Sequence, residues 1–189
     1  TPFRPGGLVV RVAAAALMRR VLGRGMGGIK VLTGWGNWIS FENIRRFVVP
    51  MAQHAEAAGK PLIVALEGVI PLTGGSLALP LQVKQQVPGV CLVLDHLWSN
   101  LGWEDYLAFA REHPDAWLTL AGLPQMLLRR AVAELGPQRL LLGSWHPETD
   151  IDLVTAQIER AWPEGGPDPA ATLGGNAARV LAGSAPERG

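Results

Sequence analysis

Residues 139–147 read RLLLGSWHP, an apolar run that breaks at Gly143-Ser144-Trp145-His146-Pro147. Three consecutive leucines without polar alternation, closed by a glycine, read as a strand buried on both faces, Leu140 to Gly143. A strand of that kind needs parallel neighbours and helices packed over them. The flanking segments supply the helices. Pro124 opens a helical pattern that runs to Leu135 and stops at Gly136-Pro137, and Ile151 to Ala161 is helical again.

The same alternation continues outward toward the N-terminus. Trp117 to Leu120 is a strand, preceded by a helix over Trp103 to Glu112 with Trp103, Tyr106, Leu107 and Ala110 on one side. Val90 to Leu94 is another, preceded by a helix over Leu79 to Gln86 that tolerates Pro80 only in its first turn. Pro61 to Leu66, PLIVAL, follows the longest helical pattern, Phe41 to Ala58. Ser40 is its N-cap, Gly59 its C-cap, and Ile44, Phe47, Val48, Met51 and Ala55 fall at helical spacing, while Pro50 is expected to kink or split it. Ile29 to Thr33 is preceded by a helix over Ala13 to Leu22, and Leu8 to Val12 is a short run of strand length. Beyond the Gly/Pro loop Pro163 to Pro169, Leu173 to Leu181 is a last helix.

These segments give about six strands alternating with helices, most of them unbroken apolar runs, which is the pattern of an α/β protein with a parallel sheet. Periodicity leaves two closures open, a doubly wound sheet or a (β/α) barrel. No GxGxxG or GxxxxGK[ST] follows a strand, so neither a dinucleotide nor a P-loop cradle is present. Residues 1–183 are expected to form one domain, with 184–189 a frayed tail.

The 189 residues carry 17 basic and 16 acidic side chains, well mixed, which gives no electrostatic footprint for nucleic acid or an anionic membrane. No apolar run approaches the roughly 20 residues that span a bilayer, and the opening TPFRPGG lacks the layout of a signal peptide. The lone cysteine, Cys91, sits inside an apolar run and reads as a core residue, in keeping with a reducing, cytoplasmic setting.

In either closure, ligands sit at the C-terminal ends of the strands. The residues there are Thr33, Trp35 and Trp38; Glu67; Asp95, His96 and Trp98; Gly122; and Ser144, Trp145 and His146. Glu67 and Asp95 are candidates for an acid/base pair, with His96 as a third titratable group, or else they cap the loops that follow. Trp35, Trp38, Trp98 and Trp145, with Ser144 and His146, are candidates for an aromatic-walled ligand pocket, or else bury themselves beneath loops. Gln125, Arg129 and Arg130 share a helix and read as solvated surface.

From Gly28 to Leu181 the chain resembles the amidohydrolase-related metal-dependent hydrolases, the (β/α) barrels that include the aminocarboxymuconate-semialdehyde decarboxylase type. The resemblance is carried by GIKVLTG, AEAAGKPLIVALEG, PGVCLVLDHLW, DAWLTLAG, LGPQRLLLGSWHP and LGGNAARVL. It implies a TIM-like barrel, here incomplete with about six of the usual eight strands. It also implies a divalent metal held by a first-strand His-x-His, a His in the PLIVAL strand, often a His after CLVLD, and an Asp after Gly-Ser. His96 matches the third of these. Ala65 and Trp145 stand where the second and fourth are expected, and the first has no counterpart. Zinc catalysis needs about three protein ligands, so the expectation is no resident metal, with a zinc ion requiring a relocated site at His96.

Three functions follow as expectations. One is an enzyme of hydrolase or decarboxylase ancestry, metal-free or with a relocated metal, acting on a small carboxylate or amide through His96 with Asp95 or Glu67. Another is a non-catalytic protein that binds a small molecule among its tryptophans. The last is a scaffold subunit that completes a barrel with another chain. Two open sheet edges, at the Leu8 and Leu140 strands, lead to the expectation of a homo-oligomer or a covering partner chain.

Overall fold

The computed structural model describes residues 16–32, 44–66, 77–95, 103–121, 123–144 and 149–182. Five of the expected strands form there: β1 (Ile29–Leu32), β2 (Leu62–Ala65), β3 (Leu92–Asp95), β4 (Trp117–Thr119) and β5 (Leu140–Leu141). They make one sheet in the order β1-β2-β3-β4-β5, every neighbouring pair parallel. The expected strand Leu8 to Val12 and the tail 184–189 lie outside the described residues. The protein is thus an α/β fold whose five sequential parallel strands correspond to part of a TIM-like barrel.

Helices separate the strands, as parallel pairing requires a crossover. They are a helix over 16–22 (α1), α2 (Val49–Ala57), α3 (Ala78–Gln86), α4 (Trp103–Glu112), α5 (Gln125–Leu135), α6 (Ile151–Ala161) and α7 (Asn176–Leu181). Pro50 divides its helical pattern as expected: a π-helical turn over Ile44–Val48 leads into α2, and the proline falls in the first turn of α2, where no amide donor is needed. Pro80 likewise sits in the first turn of α3. Gly59 closes α2 at φ 59°, and the amides of Gly59 and Lys60 return to the carbonyls of Glu56 and Ala55 at 3.0 and 2.8 Å, a Schellman closure that needs a left-handed residue. The last helix departs from expectation, since it starts earlier, with a π-helical turn over Ala171–Gly175.

Alternate strand residues divide between two faces. Ile29, Val31, Leu62, Val64, Leu92, Leu94, Leu118 and Leu140 face the helices and join Val48, Ala52, Val83, Leu107, Leu128 and Ile158 in the main core. Truncating any of the fully buried leucines to alanine costs about 2–5 kcal/mol in cores of this kind. Ile63, Val93, Trp117 and Leu141 face the other way, with Cys91 and, from α7, Val180. That second face would be the interior of a complete barrel. Burial on both faces holds for β3 and β4, but β1 alternates, with Lys30 and Leu32 exposed on the second face. Among the described residues no helix is long and apolar enough to cross a membrane.

α7 and the turn before it cover the free edge of β5. Leu141 accepts from the Leu120 amide, so the peptide groups of Leu140 and Leu142 point outward. The Leu142 amide donates to the Thr172 carbonyl at 3.0 Å, and the Asn176 side-chain amide donates to Leu140 and Pro137 carbonyls, both at 2.8 Å. At its far end α7 reaches the strand starts on the opposite side, where Lys60 Nζ donates to the Leu181 carbonyl at 3.2 Å. The outward Leu140 carbonyl and Leu142 amide of this edge thus find hydrogen-bond partners within the chain.

Candidate functional site

The register places side chains of the second face in rows. Lys30, Ile63, Val93 and Trp117 form one, and Leu32, Ala65 and Asp95 form the next toward the C-terminal strand ends. Thr119 continues along β4 on the same face, paired with Leu141. Asp95 belongs to β3 itself, so its side-chain direction is set by the pleat and it faces the same way as Val93.

Three polar groups meet there. Asp95 is almost fully buried, at 6% exposure. Its Oδ1 accepts a hydrogen bond from Thr119 Oγ1 at 2.6 Å, and its Oδ2 lies 2.8 Å from Lys30 Nζ. Lys30 starts two strands away, about 10 Å in a parallel sheet, and its four-methylene stem spans the distance. The path crosses β2 over Ala65, whose methyl group leaves the room. Thr119 is buried as well, while the Lys30 side chain keeps 42% of its surface exposed. A carboxylate out of water needs donors on both oxygens, and here an ammonium and a hydroxyl supply them. Gly143 lies one step further toward the strand ends: a Cβ there would stand 3.3 Å from the Ala121 Cβ and 3.5 Å from that of Thr119.

Lys30 and Thr119 belong to β1 and β4 themselves, not to the segments that follow the strands. The signal was present in Lys30, a charged residue inside the apolar run Ile29-Lys30-Val31-Leu32. Of the expected site residues, Asp95 takes its place at the cluster and Ser144 follows Gly143 at the end of β5, half-buried. Glu67, His96, Trp35, Trp38, Trp98, Trp145 and His146 lie outside the described residues.

A divalent metal does not fit what the described strand ends offer. Ala65 has no donor atom, and the Asp95 carboxylate already faces an ammonium, whose charge opposes a second cation. No group of three or more His, Cys, Asp or Glu converges among the described residues. Cys91, on the same face below the cluster, is no nearer to ligand chemistry: burial pushes its thiol up to about 11, against a hydrogen bond with Trp117 that acts in the other direction.

With the architecture in place, comparison with known proteins assigns the class. The family model described as amidohydrolase matches residues 2–182, and the chain belongs to that family. Among solved structures, 5-carboxyvanillate decarboxylase from Sphingomonas paucimobilis is similar over 90% of this chain and 63% of its own, at 18% identity and a TM-score of 0.64. A protein assigned as 2-pyrone-4,6-dicarboxylic acid hydrolase from Pseudomonas putida is similar over 89% of this chain and 67% of its own, at 18% identity and a TM-score of 0.58. This chain therefore spans just under two thirds of the decarboxylase. At this identity the likeness concerns the fold. No curated protein sequence matches the chain.

Proposed function

We propose that this amidohydrolase-family protein works without the family's divalent metal, so that the ancestral hydrolase or decarboxylase reaction is altered or lost. The observation that carries the reading is the Lys30–Asp95 ion pair drawn across Ala65. An ammonium sits where the strand ends would otherwise gather around a cation, and it neutralises the one buried carboxylate that the described strand ends provide. What chemistry remains belongs to Lys30, Asp95 and Thr119, with His96, next to Asp95 in the sequence, and Glu67, two residues after Ala65, as further acid/base groups. Small cyclic carboxylates, the class named for both structural neighbours, are the ligands to screen.

Calorimetry tests the metal reading directly. Protein stripped with EDTA and titrated with zinc or manganese is expected to show no saturable one-to-one isotherm tighter than about 10 μM. Stoichiometric binding at that affinity would remove the proposal.

A further inference from the structure

The helices α4 and α5 lie side by side and share an outer face. On α5 the buried Leu128, Ala131, Val132 and Leu135 turn inward. At about 100° per residue, Met126, Arg130 and Ala133 then point outward, Glu134 turns toward α4 and Arg129 away from it. On α4 the buried Tyr106, Leu107, Phe109 and Ala110 leave Ala108 outward, with Glu104 and Arg111 on the side of α5 and Asp105 and Glu112 on the far flank. Between the helices, Arg130 holds Glu104 with both terminal nitrogens and Glu134 with Nε at 2.7 Å, and Arg111 reaches Glu134 at 2.9 Å. Two cations and two anions make this seam neutral. The charges on its flanks are not balanced locally, since no ion pair among the described residues engages Asp105, Glu112 or Arg129. From α4 to α5 the face therefore presents in turn two carboxylates, a small residue, a neutral seam, an apolar strip and a guanidinium. Met126 in the strip is 74% exposed, the highest value for a large apolar side chain among the described residues. A hollow of about 470 Å³ beside it is lined by Gln125, Met126, Arg129, Arg130 and Ala133.

That order of groups is complementary to itself. A twofold axis along the seam, parallel to the helices, reverses the order in a facing copy of the chain. Arg129 then meets the Asp105 and Glu112 flank of the second copy, Met126 meets the gap over its Ala108, and the neutral seams face each other without net charge. Asp105 and Glu112 stand two turns apart, about 10 Å, so a guanidinium set between them has a carboxylate on either side. We propose that the outer face of α4 and α5 is a contact between two copies of this chain, anchored by Met126 and Arg129 of each. Methionine and arginine are side chains that interfaces favour, the first because it adapts to the surface it meets and the second because it forks onto carboxylates. An acidic partner of another kind would engage Arg129 but be repelled by Asp105 and Glu112, whereas a second copy uses both flanks. The inference is independent of the metal-free reading and of the open sheet edges.

Sedimentation velocity on the full chain, from about 1 to about 100 μM, tests it. Two helices side by side make a contact at the small end of interface sizes, so a dimer that dissociates on dilution within this range is expected. Met126→Glu keeps α5, because an acidic residue suits the first turn of a helix, and should raise the dissociation constant by about tenfold or more. Arg129→Glu should do the same, and adding Asp105→Arg and Glu112→Arg to it should restore the dimer by reversing both flanks. Circular dichroism checks that each variant is folded. A monomer throughout the range in the native protein would overturn the proposal and leave the face to a different protein or to water. So would a dimer that Met126→Glu and Arg129→Glu leave undisturbed, or a folded charge-reversed triple variant that stays monomeric.

Discussion

Lys30 and Asp95 stand to lose different amounts if the other is removed. A lysine deprived of Asp95 can swing its ammonium into water, because its side chain is already partly exposed, but Asp95 has no such route. Lys30→Met should therefore cost about 2 kcal/mol in urea denaturation, and Asp95→Asn clearly less. The double variant should be more stable than Lys30→Met alone. A larger loss in Asp95→Asn than in Lys30→Met would show that the pair is not organised around a buried carboxylate. Cys91 gives a second test. With its thiol raised from 9.0 to about 11, the folded protein holds a proton that the unfolded chain releases, so stability is unaffected below pH 9 and falls as pH rises from 9 toward 11. The alkaline fall should be smaller in Cys91→Ala. At pH 8 the native thiol should react with a disulfide reagent far more slowly than in denaturant.

At the scale of elements, closely fitted single groups hold the sheet's ends. Asn176 is buried and donates to the outward Leu140 carbonyl of β5 and to the Pro137 carbonyl in the turn before it. Asn176→Ala is expected to cost about 2–3 kcal/mol, and Asn176→Asp at least as much, since a carboxylate cannot donate to either carbonyl; urea midpoints measure both. Arg139 plays a matching part at the other end of β5. Its guanidinium donates to the carbonyls of Ala110, His113 and Ala116 where α4 turns into β4, and burial holds it below its ordinary arginine value. At the start of β1, Gly28 lets the Pro61 carbonyl approach and accept from Ile29 at 3.0 Å, and a Cβ at 28 would fall 2.9 Å from that same oxygen. These contacts were not legible beforehand, because each joins residues far apart in the chain. What was legible was local: the apolar runs, Pro50 and Pro80 at helix starts, and Gly59 and Gly136 at helix ends.

For the molecule as a whole, α7 ties one side of the sheet to the other, from the Leu140 carbonyl of β5 to Lys60 ahead of β2, with Val180 set against Trp117 and Leu141 between. Val180→Asp should destabilise the entire fold, by about 3 kcal/mol or more, because it places a charge against the buried second face. Hydrogen exchange in that variant should show β5 and α7 losing protection together; loss confined to α7 would mean that the helix is an appendage. The metal question also belongs at this scale, since it depends on several strands meeting. Ala65→His with Trp145→Asp adds two ligand types while Lys30 still holds Asp95, and zinc affinity by calorimetry is expected to rise only when Lys30→Met is added.

The sequence by itself determined the class of fold, the identity and order of the five described strands, and the resemblance that the family match supports, because apolar runs, helix caps and prolines act over a few residues. The resemblance also implies that Ala65 and Trp145 stand at positions where metal-binding side chains are expected. Only the tertiary structure decided that Asp95 faces the second side of the sheet, that Lys30 reaches it across β2, that Thr119 holds it from β4, and that α7 satisfies the edge of β5. Each of these depends on register and on the reach of a side chain between strands, and neither quantity is written in the order of the residues.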